Sequence, residues 1–120
     1  MIDKLVLNGG NLNPRGVRTV YQLPIELGYA ASKLFKGAKD HADLLRLMVK
    51  EPNILPDSLS KLWVKTLVIA GTRDMIKRKH TKLIGKSLPN SETVFLKGDH
   101  FIANKNPGAF NSAVHTFLCE

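Results

Sequence analysis

The sequence predicts an α/β fold, a three-stranded parallel sheet with flanking helices, on three observations. Short β-prone runs recur at residues 4–7, 66–70 and 93–96, each soon followed by a glycine. Segments with helical apolar spacing lie between them, and such alternation calls for parallel strands joined by right-handed crossovers. The run at 66–70 is continuously apolar, which suits a central strand buried on both faces.

Taken in order, residues 4–7 form a strand that runs into the turn Asn8-Gly9-Gly10-Asn11, prolonged by Pro14 and Gly16. Apolar spacing over 17–35 is loosely helical but interrupted by Pro24 and Gly28, which predicts two short helices. A helix over 40–49 places Leu44, Leu45, Met48 and Val49 on one face and stops at Pro52. Residues 57–62 read as a short connecting turn, and the strand at 66–70 ends at Gly71. A helix over 75–87 carries Ile76, Leu83 and Ile84 on its apolar face, with His80 on that same face, and Pro89-Asn90 closes it. The strand at 93–96 ends at Gly98, and 107–118 is an amphipathic helix marked by Phe110, Val114, Phe117 and Leu118. No internal repeat or low-complexity tract interrupts this order.

The 120 residues suffice for one domain, and 43% apolar with 23% charged residues is ordinary for a globular chain. A net charge of +8 can attract nucleic acid, anionic membrane or acidic partners without identifying any. The densest basic run, Lys77-Arg78-Lys79-His80-Thr81-Lys82, has no interleaved aromatic side chain for base stacking and reads as a solvated helix face. The lone Cys119 cannot form an internal disulfide and reads as a small packing residue at a helix end. No charged leader precedes an apolar stretch, and the longest apolar run is far too short to span a bilayer, so the expectation is a cytoplasmic protein. His41 and His115 have no metal-ligand spacing, and neither a metal nor a cofactor is expected. Gly85-Lys86-Ser87 lacks the earlier glycine of a phosphate loop, and Asn8-Gly9-Gly10-Asn11 lacks the third glycine of a dinucleotide site.

In an open parallel sheet, reactive groups collect just beyond the carboxyl ends of the strands. Asp74 stands there after TLVIAG, and His100 stands there after TVFLKG. Neighbouring strands lie about 4.8 Å apart, so short loops can bring carboxylate and imidazole together. The carboxylate would fix the imidazole tautomer and leave the other ring nitrogen as a general base. Plainer roles exist for each residue. Asp74 could cap a helix beginning at Met75, His100 could be a loop histidine bonded to backbone, and His80 could be a satisfied half-buried side chain. Asp99 reads as a solvent-facing loop residue.

The segment VKTLVIAGTRDMI, then a helix, then VFLKGDHFIANKNPGAFNSAVHTFL, resembles the end of an α/β-hydrolase. The resemblance places Asp74 at the triad-acid position after the seventh strand and His100 at the histidine position after the eighth. Their separation of 26 residues leaves room for one helix and one strand, as that family requires. KLVLNGGN would be the sixth strand, and residues from about 17 to 62 would be cap or lid helices. The close resemblance covers roughly residues 62 to 118; the strand and cap before it match more weakly.

One departure is large. The family's nucleophile sits in G-x-S-x-G between a strand and a helix. The nearest approach, Gly85-Lys86-Ser87-Leu88-Pro89, has proline in place of the second glycine and ends a helix. Ser32, Ser58, Ser60, Ser91 and Ser112 lack both flanking glycines. The resemblance therefore implies the C-terminal part of a serine-type hydrolase domain, inactive as this chain alone, as a fragment or as a stand-alone remnant. An alternative is a non-catalytic module that self-associates, or joins a complementary N-terminal hydrolase half, through an exposed sheet edge. A basic nucleic-acid-binding domain is a further alternative resting on charge alone.

Overall fold

In the computed structural model, which describes residues 1–34 and 39–120, the run KTLVIAG forms the central strand β2 (Lys65–Gly71). It pairs in parallel with β1 (Lys4–Asn8) on one side and β3 (Ser91–Leu96) on the other, giving the order β1-β2-β3. Val6 is in register with Leu67, and Ile69 with Val94. Successive side chains of a strand point to opposite faces, and β2 uses both. Val68 packs with Leu7, Leu12, Leu59, Ile84 and Leu88 on one face. Leu67 and Ile69 pack with Val6, Val94, Ile102, Phe110 and Phe117 on the other. That two-sided burial is why 66–70 reads as a continuous apolar run.

Helices cover both faces. On the Val68 face lie α3 (Pro56–Leu59) and α4 (Arg78–Ser87), with Leu59, Ile84 and, just past α4, Leu88 as their buried contacts. On the other face lie α5 (Ile102–Lys105) and α6 (Pro107–Cys119). Lys4 on β1 donates to the carbonyls of Phe117 and Leu118 at 3.1 and 2.7 Å, so a cation meets the open C-terminal end of α6.

Between β1 and α3 stand a 3-10 turn (Pro14–Gly16), α1 (Thr19–Ser32) and α2 (Lys39–Lys50). The two short helices expected over 17–35 are one, because α1 runs through Pro24. The missing N–H frees the Val20 carbonyl, but Val20 is exposed and water can satisfy it. The far end of that prediction, Phe35, lies outside the described residues, as do the surroundings of His41. In α2 the face turned inward is Ala42, Leu45 and Val49, while Leu44 and Met48 are exposed. Leu45 meets α1 near Gly28, where an added Cβ would lie 3.7 Å from its Cδ1. On α1, Val20, Leu23 and Leu27 are exposed along one side. Among the described residues no helix is long and apolar enough to cross a membrane.

Candidate active site

The carboxyl ends of β2 and β3 are stitched together by backbone. Thr72 N–H donates to the Leu96 carbonyl at 2.8 Å, and Arg73 N–H donates to the Gly98 carbonyl at 2.9 Å. This turn sets Asp74 and His100 side by side, with Asp74 Oδ1 2.9 Å from His100 Nδ1. The Asp74 side chain is 3% exposed and that of His100 33%. A carboxylate can only accept, so in the neutral ring Nδ1 carries the proton and Nε2 the lone pair. Nε2 has no hydrogen-bond partner among the described residues. The sequence-level pairing of Asp74 with His100 is thus met in space.

The helix-cap alternative for Asp74 is not what the fold builds. The helix expected from Met75 begins at Arg78, because Ile76 bridges to Val17 before α1 and Lys77 is extended. Arg18 N–H donates to the Met75 carbonyl at 2.8 Å, and Lys77 N–H donates to the Gly16 carbonyl at 2.7 Å. Asp74 Oδ1 instead accepts from Ile76 N–H at 3.0 Å, which fixes the carboxylate in a local turn. The other oxygen, Oδ2, is buried without a hydrogen-bond partner among the described residues.

Two groups around the histidine escaped sequence reasoning. Gly9, at φ +61°, seats its backbone against the imidazole, and a Cβ there would lie 2.7 Å from His100 Cε1 and 2.9 Å from Nδ1. Glycine is the residue that adopts such a φ without cost, and its N–H is tied to the Ile69 carbonyl at 2.9 Å. The Asn-Gly-Gly signal marked a turn but not its neighbour. Asp99 is more than a loop residue facing solvent, since it accepts from Phe101 N–H and pairs with Lys105, bracing the turn into α5. Lys105, then the Phe101 N–H, hold its carboxyl below the usual aspartate value.

His80 is buried on α4 and satisfied, with Nε2 accepting from Leu12 N–H at 3.0 Å. Burial, then the Lys77 charge, push its imidazole below the ordinary histidine value. Cys119 is exposed instead of packed, with Sγ 3.7 Å from the His115 ring one turn earlier. Arg78, Lys79, Lys82 and Lys86 are exposed on α4, and Arg78 lies over the Phe95 ring at 4.5 Å.

No serine approaches the pair through a hydrogen bond. The hydroxyls of Ser32, Ser58, Ser60 and Ser87 each donate to a carbonyl three or four residues earlier, and that of Ser91 donates to the Gly85 carbonyl. Ser112 lies on α6 beside a shallow cavity with Thr116 and Glu92. A cavity of about 510 Å³ opens between the 3-10 turn, α1 and the end of α2, lined by Arg15, Gln22, Glu26 and Lys50 among others, but by neither Asp74 nor His100. Among the described residues no group of His, Cys, Asp and Glu side chains could hold a metal ion.

No family model and no curated protein matches the sequence. Solved structures do. The candidate non-heme bromoperoxidase BpoC of Mycobacterium tuberculosis matches with a TM-score of 0.71 at 14% identity, over 98% of this chain and 57% of its own. An esterase from Exiguobacterium antarcticum matches with a TM-score of 0.66 at 12% identity, over 98% of this chain and 57% of its own. A bromoperoxidase from Bacillus anthracis is 27% identical over 66% of this chain and 29% of its own, with a TM-score of 0.57. The chain spans little more than half the length of BpoC and the esterase. With three parallel strands in order and the matches confined to part of each longer structure, the chain has the fold of the C-terminal portion of an α/β-hydrolase.

Proposed function

We propose that this chain carries the acid and the general base of a serine-type α/β-hydrolase and is inactive by itself, because its sequence lacks the G-x-S-x-G nucleophile elbow. The observation that carries the reading is the 2.9 Å contact between buried Asp74 and His100 at the carboxyl ends of adjacent strands. In this reading His100 Nε2 takes the proton of a serine hydroxyl as its oxygen attacks an ester-type carbonyl. His100 then returns that proton to the leaving alkoxide, and Asp74 stabilises the imidazolium between the two steps. The serine belongs to another polypeptide segment, and in this reading α1 and α2, within about residues 17–62, are cap or lid helices. The similarity to an esterase supports an ester-type substrate. The test is hydrolysis of a panel of short activated esters by the purified chain beside its His100→Ala variant. The expected outcome is the same background rate in both. Saturable turnover lost in the variant would show an unrecognised nucleophile and overturn the inactive reading.

A specific observation favours a second property. β1 pairs on one side only, and α1 exposes Val20, Leu23 and Leu27. A free strand edge offers unpaired backbone groups to another chain. We propose that the free edge of β1 takes a complementary hydrolase half or, failing that, a second copy. Light scattering on the chain alone is then expected to give a mass above 13.3 kDa at high concentration. A clean monomer there contradicts self-association.

A further inference from the structure

We propose that His80 is a positioning residue for His100: as a neutral imidazole it latches the loop after β1, and with it Gly9, against the His100 ring, and protonation releases the latch. The inference rests on reading His100 as the base.

The tautomer follows from one hydrogen bond. A backbone N–H can only donate, so the 3.0 Å contact from Leu12 requires Nε2 of His80 to be an acceptor, and the ring proton sits on Nδ1. His80 is 8% exposed, and its ring is wedged where a Cβ on Gly16 would lie 2.6 Å from Cδ2 and 2.7 Å from Nε2. The loop held by Leu12 begins at Gly9, whose backbone fills the space beside His100 Cε1 and Nδ1. Thus α4 grips the loop through His80, and the loop backs the Asp74–His100 pair.

An imidazolium has no lone pair, so it turns the Leu12 contact from attraction into donor facing donor. No carboxylate among the described residues offsets that charge. Residues 9–13 carry no ionisable side chain. In the 3-10 turn Arg15 is exposed, and its carbonyl is held by Lys77 Nζ at 2.7 Å. Arg18 follows, on the strip paired with residues 75–77. On α3, Asp57 is exposed, as are Arg78, Lys79 and Lys82 on α4, and Glu92 on β3. Lys77, beside the ring, is the one charge that bears on it, and as a cation it opposes protonation together with burial.

The sign is definite. The folded imidazole lies below its unfolded value of 6.5, so the latch is fully closed above that pH and weakens as pH falls toward the lowered folded value. In this window one extra proton binds the open state, and each pH unit raises the opening equilibrium about tenfold.

Hydrogen exchange and ring NMR on the full chain test this without turnover, so an enzyme that proves inactive leaves the result readable. The protection factors of the Leu12 and Gly9 amides, corrected for intrinsic exchange, are expected to fall together as pH drops from 6.5 toward the lowered folded value, with a slope approaching about tenfold per pH unit within that window. Part of the change in the His100 ring signals should follow the same curve. His80→Gln, whose amide oxygen can accept from Leu12 without titrating, should keep both protections flat and remove that part of the His100 change. His80→Phe, with no acceptor, should lose Leu12 protection at neutral pH. Protection that stays flat in the unaltered chain as His80 protonates, or an identical pH dependence in His80→Gln, overturns the proposal. So does a His100 response indifferent to both variants.

Discussion

Alanine at position 71 is expected to destabilise the chain by about 3 kcal/mol, read as a lower urea midpoint at unchanged slope. Gly71 ends β2 where the turn after β3 crosses over it. A Cβ there would collide with the Asp99 carbonyl oxygen, and would lie 2.5 Å from the Gly98 oxygen and 2.8 Å from the Asp99 carbonyl carbon. These are backbone atoms, so no side-chain rotation relieves the clash. The turn that must move carries His100, so the same variant should disturb the His100 ring signals along with stability. Gly108 is the control, because nothing lies within 4 Å of a Cβ added there. A loss of less than about 0.5 kcal/mol for Gly71→Ala would mean the two strand ends are not packed as described.

Asp74→Ala is expected to cost about 2–3 kcal/mol and to leave His100 as a mixture of tautomers. Oδ1 accepts two donors, His100 Nδ1 and Ile76 N–H, and truncation leaves the Ile76 amide without a partner in a buried turn. Hydrogen bonds to a charged acceptor are the stronger class, so this loss should exceed that of an exposed carboxylate. Asp57, exposed at the start of α3, is the comparison, and its alanine variant should stay within about 0.5 kcal/mol.

Much of the fold was legible because its strands are short, apolar and punctuated by glycine. The burial of β2 on both faces showed in 66–70, and the register partners Val6 and Val94 fall in the flanking runs. What stayed hidden was tertiary. Pro24 argued for a break that α1 does not make, because Val20, whose carbonyl it frees, is exposed. The start of α4 moved to Arg78 because residues 75–77 found partners in 16–18, a pairing that local propensity does not encode. The turn α5 was missed because four residues are too few for a period, although Ile102 within it is wholly buried.

The candidate site divides in the same way. Asp74 and His100 could be paired from spacing, since both follow strands of one parallel sheet. Gly9 and His80 could not, because their roles arise from β1 lying beside β2 and from α4 folding back over the loop. A glycine beside a strand end marks a turn of either hand. Only the fold shows that this one backs a histidine.

The most direct test of the account is the protonation of His100, read by nitrogen-detected NMR of the imidazole in the unaltered chain at neutral to mildly alkaline pH. Nδ1 should carry the proton, hydrogen-bonded to Asp74, with Nε2 bare and able to act as a base. A ring protonated on Nε2, or one indifferent to Asp74→Ala, would contradict the pairing on which the hydrolase reading stands.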